Sequence, residues 1–245
     1  MLRQNDAHPI QAIIFDYGGT LDSRGDHWSE VIRRAYESED IIISLDTYRD
    51  AYIHAERTLD GTGIIRSTDN FLAVMRKKIA LQFSRLAIDN PQQADAVATR
   101  CYESARRCVS QSALTLTHLA QRYPLAIVSN FYGNVSTVLG DFGLLPLLTA
   151  VIDSTAIGIR KPDPAIFAAG IAAINKAIHT DLHPSDVLVV GDSIDKDIIP
   201  ATSLGCQTAL LQGIPWDPTR PQPAIPAATI RLTTLSDLLI HLPHS

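Results

Sequence analysis

The chain has 245 residues and a formal net charge of −5, which is long enough for one large domain or two smaller ones with a proper core. The acidic balance excludes a broad nucleic-acid surface, because such a surface needs a basic excess to displace counterions. Apolar residues make up 46% and charged residues 19%, ordinary for a globular protein, and no apolar run approaches the ~20 residues a helix needs to cross a bilayer.

The start, MLRQNDAHP, is polar and reads as no signal peptide. Three cysteines, Cys101, Cys108 and Cys206, fit a reducing cytoplasm. Cys101 and Cys108 stand seven apart on one helix face and read as core thiols rather than a metal or redox pair.

In chain order, Ala12 to Phe15 form a short buried strand that ends in Asp16, followed by two glycines and Thr20. Glycines there let the chain turn tightly and bring backbone N–H groups close to an anion. From about Gly25 to Ser110 helices follow one another: HWSEVIRRAYES, LDTYRDAYIHAERTL, STDNFLAVMRKKIALQFSRLAI and NPQQADAVATRCYESARRC. In the third, Phe71, Leu72, Met75, Ile79, Phe83 and Leu86 recur at helical spacing, with Ser67, Thr68 or Asp69 as its cap.

After about Ser112 strands and helices alternate. The strand Leu125 to Val128 ends in Ser129 and Asn130, and a helix covers Val135 to Leu139. A short strand lies near Ala150 to Ile152, and RKPDP at 160–164 leads into the helix IFAAGIAAINKAI. A third strand, Val187 to Val190, ends at Asp192, a fourth is QTALLQ at 207–212, and the chain closes with a proline-rich loop, ATIRL and LSDLLIHL. Alternation of this kind predicts a doubly wound parallel sheet, which binds ligands outside the carboxyl ends of its strands. Three strands end there in functional groups.

These residues resemble, in order, the four motifs of the haloacid dehalogenase superfamily, from about residue 10 to 242. The resemblance implies a Rossmann-like core over 1–21 and 112–245, with an inserted all-helical cap domain over 22–111. It implies a magnesium-dependent phosphatase acting on a small phosphorylated metabolite. DYGGT supplies the nucleophile, Asp16; VSN puts Ser129 and the backbone of Asn130 on the phosphate; RKPDP supplies Lys161; GDSIDKD supplies Asp192 and Asp197. Magnesium would be held by Asp16, the carbonyl of Gly18 and Asp192. Lys161, Ser129 and N–H groups around Gly18 and Gly19 would hold the transferring group. Thr20 fixes the turn, and Asp197 anchors its loop behind the ligands.

One position departs from the phosphatase pattern. The second aspartate, two residues after the nucleophile, is here Gly18, so the acid that protonates the leaving group must be absent or come from Asp22, Asp26 or His27. Two alternatives stay open: a 2-haloacid dehalogenase, whose halide leaves without a proton, and a weakened member that binds a phosphorylated ligand. Asp192 speaks against the first and the intact Asp16 and Lys161 against the second. Absence of any lysine before Lys77 argues against Schiff-base phosphonate chemistry. Arg49, His54, Arg57 and Arg66 are candidates to meet an anionic substrate, with a solvated helix face as the plainer reading. Monomer and homodimer both fit the composition.

Overall fold

The computed structural model describes residues 8–242; residues 1–7, with most of the polar start, and 243–245 lie outside it. Six strands, β1 (Ala12–Phe15), β2 (Leu125–Ser129), β3 (Ala150–Asp153), β4 (Val187–Gly191), β5 (Gln207–Leu211) and β6 (Ile230–Leu232), form one parallel sheet ordered β3-β2-β1-β4-β5-β6. The chain therefore winds outward from β1 to β3, then returns to β4 on the other side of β1. Loops leaving β1 and β4 diverge at that reversal and open a crevice at the carboxyl edge.

Both faces of β1 are covered, which is why AIIF is apolar throughout. Ile13 and Phe15 pack toward Leu116 and Leu119, while Ala12 and Ile14 pack toward Ile166, Phe167 and Ile174. Those partners belong to the flanking helices α4 (Pro91–Ala120) and α7 (Ala165–Ile178). This is the α/β, Rossmann-like architecture expected.

Three further helices, α1 (Trp28–Glu37), α2 (Leu45–Leu59) and α3 (Phe71–Arg85), precede α4 and pack with it on the Tyr36, Tyr48, Phe71, Met75 and Cys101 side chains. Asn70 caps α3 by accepting from Ala73 N–H at 3.0 Å. The expected cap one to three residues earlier is thus displaced, because Asp69 instead accepts from Arg66 N–H at 2.7 Å. Helix α4 does not stop near Ser110 but continues to Ala120. Its buried positions Val97, Cys101, Ala105, Val109, Ser112, Leu116 and Leu119 keep one stripe along 30 residues, so nothing in the packing ends it earlier. Position 112 lies within this helix. The remaining short helices, α5 (Val135–Asp141), α6 (Ser154–Ile157), α8 (Ile199–Leu204) and α9 (Leu238–His241), complete the connections.

Candidate active site

Strand ends bring the predicted residues together. Phe15 lies opposite Val190 in the β1–β4 pair, and Asp16 N–H donates to Val190 carbonyl at 2.9 Å, so Asp16 and Asp192 leave adjacent strands side by side. Ser129, the last residue of β2, is buried on the opposite side of β1. Lys161 arrives from the loop between α6 and α7 and donates through Nζ to Asp16 Oδ1 and to Asp197 Oδ1, each at 2.6 Å.

Asp197 sits in a single π-type turn, Ile194–Ile198, and its second oxygen accepts from Ser193 N–H at 3.0 Å. Both of its oxygens are therefore engaged, one on the lysine and one on its own loop. Gly191 permits this approach: a Cβ there would overlap the Asp197 side chain. Asp192 accepts from Thr20 Oγ1 at 3.1 Å. Gly19, at φ +97°, lies so close that any side chain would overlap the Asp192 carboxylate.

Ligand oxygens of Asp16, Asp192 and Asp197 lie within 4.8 Å of one another, facing one ammonium. Burial pushes the Asp16 carboxyl above its usual range and Asp197 adds to this, against the pull of Lys161. Burial raises Asp192 well above that range, with Asp16 and Asp197 reinforcing it. Burial alone would lower the Lys161 ammonium, but Asp16 and Asp197 outweigh it and hold the group charged. The cluster thus sets three carboxyl groups against one ammonium, and the crowding pushes Asp16 and Asp192 toward holding a proton unless a further cation joins them.

Asn130 acts here through its side chain. Its Nδ2 donates to Lys161 carbonyl at 3.0 Å and its Oδ1 accepts from Lys161 N–H at 2.9 Å, clamping the lysine's backbone to the loop after β2. Gly19 N–H, one of the groups expected on a phosphate oxygen, donates to Asp22 Oδ1 at 2.8 Å. Asp22 folds back beneath the turn, where it also accepts from Trp28 Nε1 at 2.9 Å. Burial pushes the Asp22 carboxyl up to about 7.

His27 is the N-cap of α1: its Nδ1 accepts from Ser29 N–H at 3.2 Å. Burial presses it down to about 4, and its ring packs against Tyr52 and Trp216. Asp26 accepts from Ile214 N–H at 2.9 Å and pairs with Arg34. Among the proposed cap cations, Arg49 bridges Asp217 at 3.1 Å and lies over Trp216, while His54, Arg57 and Arg66 are exposed.

Three residues without a motif signal meet at this edge. Lys78, buried in α3, donates to Glu56 Oε1 at 2.6 Å, and Tyr132 Oη donates to Glu56 Oε2 at 2.6 Å. Lys78 also lies over the Tyr52 and Tyr132 rings. A lysine at the buried register of α3, where Val74, Met75, Ile79 and Phe83 are apolar, was the available clue.

The family model for haloacid dehalogenase-like hydrolases matches residues 10–205. Mouse haloacid dehalogenase-like hydrolase domain-containing protein 3 is 28% identical over 182 residues, 71% of this chain and 69% of that protein. A phosphoglycolate phosphatase of Cereibacter sphaeroides is 33% identical over 97 residues, 39% of this chain and 40% of that one. Other curated matches are shorter still: a Schizosaccharomyces pombe hydrolase is matched over 37% of its length. In fold, the chain is similar to L-2-haloacid dehalogenase from Xanthobacter autotrophicus, with TM-score 0.59 at 19% identity over 95% of this chain and 98% of that one. It is likewise similar to the magnesium-bound HAD-hydrolase YfnB from Bacillus subtilis, with TM-score 0.55 at 18% identity over 96% and 99%. With the parallel sheet, the acidic cluster and a family match over most of its length, the chain belongs to the haloacid dehalogenase-like hydrolases.

Proposed function

We propose that the protein is a magnesium-dependent phosphatase of small phosphorylated metabolites, with Asp16 as nucleophile. The observation that carries this reading is the make-up of the cluster: three buried or half-buried carboxyl groups face one ammonium, so that with all three ionised two negative charges would remain for a divalent cation to cancel. The donors are hard oxygens, which suit magnesium. Asp197 is already engaged through both oxygens, so Asp16, Asp192 and the Gly18 carbonyl would hold the ion. When bound, magnesium supplies charge neutralisation between the carboxylate and an incoming phosphate.

In this reading Asp16 attacks phosphorus as the ester P–O bond breaks, giving an aspartyl phosphate. Water then attacks phosphorus, the bond to Asp16 breaks, and phosphate leaves with the carboxylate restored. Lys161 holds Asp16 in one orientation and offsets charge on the transferring oxygens. Ser129 takes an equatorial oxygen from its position at the end of β2. The helical segment 22–111 acts as a cap that excludes water. With Gly18 offering no acid, the leaving group departs as an anion, which favours aryl and acyl phosphates. Partial similarity to phosphoglycolate phosphatases supports phosphate esters as the substrate class.

The test is turnover of 4-nitrophenyl phosphate and of 2-chloropropionate, each with and without magnesium. Magnesium-dependent release of nitrophenol, with aryl phosphates cleaved faster than alkyl ones, is expected. Metal-independent chloride release would assign a dehalogenase instead.

A further inference from the structure

One face of α2 carries Arg49, Tyr52 and Glu56, with Asp60 one residue past its end, at steps of three, four and four residues. Each of these side chains meets a loop at the carboxyl edge of the sheet. Arg49 and Tyr52 meet Asp217 and Trp216 after β5. Glu56 accepts from Tyr132 after β2, and Asp60 pairs at 2.5 Å with Arg160, the neighbour of Lys161. At Glu56 the other carboxylate oxygen is held by the buried Lys78. Keeping a lysine buried is costly unless its partner is fixed. Lys78 therefore fixes the Glu56 carboxylate, and Glu56 in turn fixes the Tyr132 hydroxyl.

Tyr132 lies two residues beyond Asn130, the residue whose side chain clamps Lys161 at both its N–H and its carbonyl. Hydrogen bonds from Lys78 through Glu56 to Tyr132, the two residues of backbone from Tyr132 to Asn130, and hydrogen bonds from Asn130 to Lys161 and from Lys161 to Asp16 thus link the buried lysine of α3 to the nucleophile.

We propose that Glu56 and Tyr132 are positioning residues, which hold the loop after β2 so that Asn130 keeps Lys161 in register with Asp16. This rests on the phosphatase reading for its kinetics but not for its structural part. A misplacement of about 1 Å can cost on the order of a hundredfold in rate, so loss of one contact in the path should be visible in kcat.

Three variants separate positioning from mere stability. Tyr132→Phe removes only the hydroxyl and keeps the ring over Lys78. Glu56→Gln keeps an acceptor for Tyr132 but leaves Lys78 without its countercharge. Glu56→Ala removes both. With 4-nitrophenyl phosphate and magnesium, Tyr132→Phe and Glu56→Ala are expected to lower kcat by about tenfold with KM within twofold, and Glu56→Gln to recover most of it. Melting temperatures should fall in a different order, with Glu56→Gln below Tyr132→Phe. Glu56→Ala combined with Tyr132→Phe should lose no more kcat than the worse single change, because both break one path.

The Lys161 amide, bonded to Asn130 Oδ1, gives a readout that needs no substrate. Its hydrogen exchange should quicken by about tenfold in Tyr132→Phe, while amides of β1 stay unchanged. An unchanged Lys161 amide, or kcat losses that follow melting temperature across the variants, overturns the proposal. Wild-type protein inert toward phosphates, with a quickened Lys161 amide in Tyr132→Phe, would overturn the phosphatase reading and leave the positioning path standing.

Discussion

Lys161 Nζ donates to Asp16 Oδ1 at 2.6 Å, with both side chains nearly closed off from solvent. Removing the cation would leave three acidic side chains of the cluster with no internal countercharge. Lys161→Met is accordingly expected to destabilise the fold by about 3 kcal/mol or more, the usual cost of orphaning one member of a buried ion pair. Urea unfolding at pH 7 checks this, and added magnesium should recover part of the loss.

Gly18 is open to a side chain: a Cβ there would meet nothing nearer than Trp28 Cδ1 at 3.9 Å, and its φ lies outside the left-handed region. Gly18→Asp is therefore expected to fold normally and to supply an acid two residues after Asp16, the proposed nucleophile. Turnover of alkyl phosphates should rise by ~10²-fold or more, with little change for nitrophenyl phosphate, whose leaving group needs no proton. The ratio of the two rates is the measurement.

Gly191 has the opposite geometry. A methyl group there would overlap Asp197, so Gly191→Ala must push that carboxylate away from Lys161. A loss of about 1–3 kcal/mol in stability is expected from overpacking, together with a fall in kcat/KM. A control at Gly140, where a Cβ meets nothing within 4 Å, should cost no such loss.

Two groups give opposing pH dependences. His27 is pressed down to about 4 by burial, so between that value and its ordinary 6.5 the unfolded chain binds a proton that the folded chain refuses. Its contribution to stability is full above pH 6.5 and is lost as pH falls toward 4. Asp22, pushed up to about 7 by burial, binds its proton in the folded state first. Its contribution is full below pH 4 and is lost as pH rises through 7. In His27→Asn, which keeps a capping oxygen, the fall in stability from pH 7 to pH 4 should shrink by about 1–2 kcal/mol, a half-buried ring being partly screened. In Asp22→Asn stability should rise more steeply with pH than in the wild type. Denaturant midpoints at pH 4.5, 5.5 and 6.5 separate the two.

Much of the sheet was legible because its strands are short apolar runs that end in polar residues: AIIF before Asp16, LAIV before Ser129 and VLVV before Gly191 and Asp192. Helix α2 was legible too, since LDTYRDAYIHAERTL has a clear apolar stripe and ends before Asp60. Less of the site's detail was readable. Asn130 clamps Lys161 across 31 residues, and nothing local in VSN or RKPDP encodes that contact. Glu56, Lys78 and Tyr132 come from three separate elements and meet only after α2 and α3 pack over the loop after β2. At the strand-end turn, the bond from Gly19 N–H to Asp22 Oδ1 was likewise not readable from DYGGT. Helix α4 ran on past Ser110 because the change from helical block to alternating pattern is not a break in its own stripe.

The proposed attack of Asp16 on phosphorus is open to a simple comparison. The most direct test is nitrophenyl phosphate turnover by the wild type and by Asp16→Asn, side by side in magnesium. Steady release by the wild type, its loss on chelation, and a fall of about 10³-fold or more in Asp16→Asn are expected. Turnover in Asp16→Asn equal to that of the wild type would contradict the proposed attack.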